Sequence, residues 1–138
     1  MNKRCKQMVA ALCVGAVFIS SAAAASIGSF SDAAGHWAYA SLSRAVDDGL
    51  LAGADGKLMP DGSLTGAQMA AILNRVVVAQ DTSRTYPNTP AGAWYTADAA
   101  KSASLGVLPY DGSLNLRTAV TRAQVFPALT AAFGLDEV

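Results

Sequence analysis

At 138 residues, with ten Lys/Arg against ten Asp/Glu and a formal net charge of +0, the chain has room for one ordinary domain or a few short repeats. It lacks the basic excess that marks a nucleic-acid binder. Only 14% of its residues are charged and 52% are hydrophobic, a figure raised by alanine and by the N-terminal segment.

Residues 1–25 read as a secretory leader. Lys3, Arg4 and Lys6 make a positive start, residues 8–19 form an uncharged apolar run, and Ala23-Ala24-Ala25 fits a small-residue cleavage pattern, so the cut is expected after Ala25. The rival is a retained anchor, because residues 8–28 carry no charge over 21 positions. The short apolar core and its small, weakly hydrophobic tail favour cleavage. A lipoprotein reading is poor, since Leu12 precedes Cys13. Both cysteines, Cys5 and Cys13, lie in the leader, so the exported part is expected to fold on packing alone. There, seven Lys/Arg face ten Asp/Glu, a net of −3.

Beyond the leader the chain repeats itself. Phe30-Ser31-Asp32 returns as Tyr86-Pro87-Asn88, Asp55-Gly56-Lys57-Leu58 as Asp111-Gly112-Ser113-Leu114, and Thr65-Gly66-Ala67-Gln68 as Thr121-Arg122-Ala123-Gln124, each 56 positions on. Between the first two markers the offset becomes 57: Trp37 meets Trp94, and Gly49-Leu50-Leu51 meets Gly106-Val107-Leu108. Two copies follow, at 30–79 and 86–133, joined by the polar residues 80–85.

Each copy reads as helix, turn, helix, which predicts an all-α fold of tandem helix-turn-helix repeats. In the first copy Ala38, Leu42, Ala45, Val46 and Gly49 share one helical face. Gly49, Gly53 and Asp55-Gly56 then mark a break and a turn. The second helix opens at Thr65, where Thr65 and Gln68 form a T-x-x-Q capping box, and Met69, Ile72, Leu73 and Val76 make its stripe. In the second copy Thr121 and Gln124 rebuild the box, and Val125, Ala128, Leu129 and Ala132 rebuild the stripe. Pro127 breaks the pattern. It removes a helical hydrogen bond and crowds the carbonyl of Ala123, so a kink or a displaced helix start is expected.

The ordered series resembles the S-layer homology domain. In the first copy the matching residues are Phe30 and Asp32, His36-Trp37-Ala38, Gly49-Leu50-Leu51 with Gly53, Gly56 with Leu58 and Pro60, and Thr65 with Ala67-Gln68. The second copy offers Tyr86, Trp94-Tyr95, Gly106-Val107-Leu108, Asp111-Gly112 with Leu114, and Thr121-Arg122-Ala123-Gln124. The resemblance implies a helical module that holds exported proteins to the bacterial envelope without a covalent bond. Its implied partner is a cell-wall glycan, either secondary cell-wall polysaccharide, often pyruvylated, or peptidoglycan. Departures stand beside it: Gly66 replaces the family's arginine in the first copy, Asp32 becomes Asn88 in the second, and two copies are visible where three are usual.

The expected ligand contacts are Arg122, Trp94, Tyr95, Gly112 and Gln124. A helix start offers free N–H groups and partial positive charge to a sugar carboxylate, and Arg122 adds a bidentate donor. Trp94 and Tyr95 offer flat faces to sugar rings, and Gly112 lets backbone approach a ligand closely. Structural readings stand next to these. Arg122 could be a solvated cation, Trp37 and Trp94 are expected first as packing residues, and the Asp-Gly pairs first as turn formers. Gly66, without a guanidinium, makes the first copy's site weak or purely structural.

Catalysis is not expected. The exported part has one histidine, His36, no cysteine, and one glutamate, Glu137, and it shows no metal cluster, phosphate loop or nucleophile elbow. An aspartate pair is the remaining hydrolytic alternative. No cofactor and no nucleic-acid partner are expected, and the predicted location is secreted, at the cell wall. The runner-up function is an assembly module. A helical repeat cannot bury its apolar face alone, so two copies are expected to form a homo-oligomer, to borrow a third repeat from a partner chain, or to be a fragment of a longer surface protein.

Overall fold

The computed structural model describes residues 25–109 and 111–135. The leader expected at 1–25 lies outside the described residues but for Ala25. Among the described residues the regular elements are all helical: a short 3-10 turn, Ile27–Ser29, then α1 (Tyr39–Asp47), α2 (Gly66–Val76), α3 (Thr96–Ser104) and α4 (Arg122–Phe133).

The helices begin where local chemistry dictates. At α2 the Thr65 hydroxyl accepts the Gln68 backbone N–H at 3.3 Å, and the Gln68 amide oxygen accepts the Thr65 N–H at 2.9 Å. At α4 the Gln124 side chain likewise accepts the Thr121 N–H at 2.9 Å. The box satisfies donors that a helix cannot satisfy internally. At α1 the N-cap residue Ala38 offers no side-chain cap, and His36 Nδ1 accepts the Ala38 N–H at 3.1 Å just ahead of the helix. Pro127 does not displace the start of α4, which runs unbroken from Arg122 to Phe133. Pro127 and Ala123 are both exposed, so the carbonyl that loses its partner belongs to a residue that water can reach.

The packing differs from two stacked helical hairpins. The backbones of the two helices of a segment do not come close to each other. Instead α2 lies chiefly against α3 and also meets α4, while among the helical elements α1 approaches only the Ile27–Ser29 turn. A small cluster of Ile27, Phe30, Ala33 and Val46 holds α1 in place. The larger core joins Ala67, Met69 and Leu73 of α2 to Ala99 and Ala103 of α3, Ala128 of α4, and the loop residues Tyr86, Leu108, Leu114 and Leu116.

This arrangement explains which faces are buried. The α2 stripe holds for Met69 and Leu73, but Val76 is 37% exposed and Ile72 is half-buried. The tightest face is made of small residues: Ala67, Ala70, Ala71 and Asn74 are all nearly sealed, as are Ala99, Ser102 and Ala103 on α3. Short side chains let two helix backbones approach closely and trade apolar bulk for contact. One polar group is sealed with them. Asn74 donates from Nδ2 to the Asp98 carbonyl at 2.8 Å, and its Oδ1 accepts from the Ser102 hydroxyl at 2.9 Å. No buried side-chain polar atom among the described residues lacks a partner.

Removing Asn74 leaves the Ser102 hydroxyl and the Asp98 carbonyl short of partners in the dry contact. Asn74→Ala is expected to cost about 2 kcal/mol in urea unfolding, and the pair Asn74→Ala/Ser102→Ala less than the sum of the two single changes.

Candidate functional site

Two clefts open between loops and helices. The larger, of about 640 Å³, has an apolar floor that includes Leu42, Leu51, Leu58 and Ile72, a polar edge of Thr65, Gln68 and Arg75 on α2, and Trp94 contributed from the second segment. Arg75 is the only charged residue lining it. One guanidinium N–H is spent on the Leu50 carbonyl at 2.9 Å, and a guanidinium carries five. Trp94 is 66% exposed and stands edge-on to the buried Tyr95, ring centroids 5.4 Å apart at 84°. The smaller cleft, about 290 Å³, is lined by Tyr86, Pro87, Tyr95, Gly112 and the loop to Arg117.

The residues expected to bind ligand are not gathered in one place. Trp94 lines the larger groove, and Tyr95 and Gly112 line the smaller cleft. Arg122 and Gln124 are exposed at the start of α4 and line neither. Gly112 owes its identity to the fold: its φ is +70°, and a Cβ there would stand 2.8 Å from the Pro87 Cβ. The packing expected of the tryptophans is overturned, for Trp37 is 91% and Trp94 66% exposed. An exposed indole presents a flat face that suits a stacking platform. Arg75 and Gln68 also line the groove and were not singled out from sequence as candidate site residues, because one looks like a last-turn cation and the other is fully explained as a cap.

Gly66 also finds its reason here. The first N–H groups of α2 are taken by the second segment: Gly66 N–H donates to the Thr118 carbonyl at 3.1 Å and Ala67 N–H to Leu116 at 2.8 Å. In return, Val120 N–H donates to the Leu64 carbonyl at 2.8 Å. A Cβ at Gly66 would stand 3.1 Å from the Leu116 Cα. The α2 start is thus closed by protein, while Arg122 stands at the open start of α4.

The loop that frames the groove is tied by Asp32. Its carboxylate accepts the Leu58 N–H at 2.9 Å and the Met59 N–H at 2.7 Å, holding Met59 at a left-handed φ of 52°. The second segment satisfies the matching N–H differently. The Tyr86 hydroxyl accepts from Leu114 N–H at 3.1 Å and donates to the Leu114 carbonyl at 2.9 Å. Asn88, where Asp32 would stand, adopts φ 58°, a region asparagine tolerates well. The Leu58 N–H bond is the largest influence holding the Asp32 carboxyl below its ordinary range, and burial pushes the Tyr86 phenol up. His36 is occupied structurally: with Nδ1 accepting, Nε2 carries the proton and lies 3.1 Å from Asp61 Oδ1. Among the described residues no three His, Cys, Asp or Glu side chains cluster as metal ligands would.

The S-layer homology domain model matches residues 29–70, from the end of the 3-10 turn through α1 and the groove loop to the first turn of α2. The match makes this segment similar to S-layer homology domains, which are non-catalytic modules of cell-surface proteins that bind cell-wall polymers. None of the characterised proteins compared matches the chain. Among the described residues no helix is long and apolar enough to cross a membrane.

Because the folded Asp32 carboxyl titrates below its free value of 3.8, its clamp contributes stability that is complete above that pH and lost as pH falls through the lower, folded value. Acid unfolding monitored by circular dichroism should therefore steepen below about pH 4. Asp32→Asn should lower stability at neutral pH and flatten that acid limb.

Proposed function

We propose that the chain anchors an exported protein to the bacterial cell wall, with the groove between α2 and Trp94 as its glycan site. The exposed Trp94, facing the same groove as Arg75 and Gln68, is the observation that carries this reading. Sugar rings present apolar C–H faces that stack on an indole, and hydroxyls that pair with amides and hydroxyls at the rim. Arg75, the lone charge on the groove, favours an acidic saccharide, such as a secondary cell-wall polysaccharide with pyruvate ketals, over a neutral one.

The second segment acts in this reading as a second S-layer homology copy. Its support is the common spacing of α2 and α4, which begin 56 residues apart at Gly66 and Arg122, and the same Thr-to-Gln box at both starts. The leader at 1–25 delivers the chain to the surface.

The test is co-sedimentation of the purified chain with cell-wall sacculi, before and after acid stripping of the attached polysaccharide. Binding should fall with stripping, and Trp94→Ala and Arg75→Gln should each weaken it about tenfold, the weight of one lost stacking or charge-assisted contact. Both side chains are largely exposed, so helicity should not change. Retention that ignores stripping would move the ligand to peptidoglycan, and retention that also ignores both substitutions would remove the groove from the account.

A further inference from the structure

The seam between the two segments is built from backbone groups, and each end of the chain carries an unused half of it. At the seam, the loop 116–120 lies across the start of α2: the carbonyls of Leu116 and Thr118 accept from Ala67 and Gly66, and Val120 donates to Leu64. Shifting by the repeat offset of 56 gives the matching groups on the open faces. The N–H groups of Arg122 and Ala123 and the carbonyl of Val120 stand at one end. The carbonyls of Pro60 and Gly62 and the N–H of Leu64 stand at the other. None of these six groups has a hydrogen-bond partner among the described residues.

Three further observations bear on what covers them. The α2 face of Ala67, Ala70, Ala71 and Asn74 is sealed against α3, whereas on its counterpart on α4 Ala123, Phe126 and Pro127 are exposed and Thr130 is half-buried, with Phe126 64% exposed. Asp61, with 85% of its side chain exposed, occupies the loop position matching Arg117. That position lies between the two carbonyls that cap α2, so Asp61 would bring a carboxylate to the positive start of α4 and to Arg122. The fit is close but passable: Arg122 has the Cβ that Gly66 lacks, and a Cβ at Gly66 would lie 3.1 Å from Leu116 Cα. The incoming loop must therefore sit a few tenths of an ångström further out.

We infer that a second copy of this chain docks head to tail on α4, its loop 60–64 covering the start of that helix as 116–120 covers α2. Both halves of the contact are on this one chain, so each copy that docks presents a fresh α4 and a heterologous assembly results. Its contacts include neither Trp94 nor Arg75, but the docking loop shares Pro60, Gly62 and Leu64 with the rim of the proposed glycan groove.

The test is sedimentation velocity of the purified chain over about 1–200 µM, a range that brackets weak self-association. The mass should rise with concentration above that of a single chain. Asp61→Arg and Arg122→Asp should each shift the rise roughly tenfold upward in concentration, and the double swap D61R/R122D should bring it back. Circular dichroism should show unchanged helicity; if D61R loses helicity through its lost His36 contact, R122D alone carries the test. Single-chain mass at every concentration, assembly indifferent to R122D, or a folded double swap no better than its parents would overturn the inference.

Discussion

The fold depends on how the start of α2 is closed. A helix start leaves backbone donors without internal partners, and here the capping box satisfies the N–H groups of Thr65 and Gln68 while the other segment's loop takes those of Gly66 and Ala67. The same contact places the carbonyl of Leu64 on Val120, so two stretches far apart in sequence share one short ladder. With that ladder in place α2 is pinned beside α3, and the small residues along both helices can close to contact. The groove follows from the same constraint, because Trp94 reaches it only when the second segment is held against α2.

Matching positions in the two segments solve shared problems with different chemistry. The N–H of Leu58 is met by a carboxylate and that of Leu114 by a phenol. Asp32 and Tyr86 are thus alternative clamps, and Phe30 and Asn88 are what each segment has in place of the other's clamp. Gly66 and Arg122 diverge for a similar reason. The first lies under a neighbouring loop that crowds a side chain, a Cβ there standing 3.1 Å from the Leu116 Cα, and the second lies at an open end. The absence of a guanidinium at Gly66 therefore accords with this tight packing.

Much of the local structure was legible in the sequence. The Thr-to-Gln boxes located the starts of α2 and α4, and the Asp55-Gly56 pair located a tight turn, where both residues take positive φ and Ala54 and Lys57 exchange backbone hydrogen bonds. Less legible was the partnership of the helices. Hydrophobic periodicity points to large residues such as Ile72 and Val76, while the decisive α2–α3 face is alanine, serine and asparagine, which carry little signal on that scale. The helix-turn-helix reading also implied that α1 pairs with α2 and α3 with α4, and the 116–120 ladder helps hold α3 to α2 instead. For the site, Trp94 was named and its exposure was not foreseen. Arg75 and Gln68 became visible only once the groove had two walls.

The most direct measurement is amide hydrogen exchange at Gly66 and Ala67. Bonded to Thr118 and Leu116 across the seam, both amides should be protected to the same free energy as those in the middle of α2, opening only when the two segments separate. Exchange at the fast rate of unpartnered first-turn amides, with the rest of α2 still protected, would contradict the interlocked fold on which the groove depends.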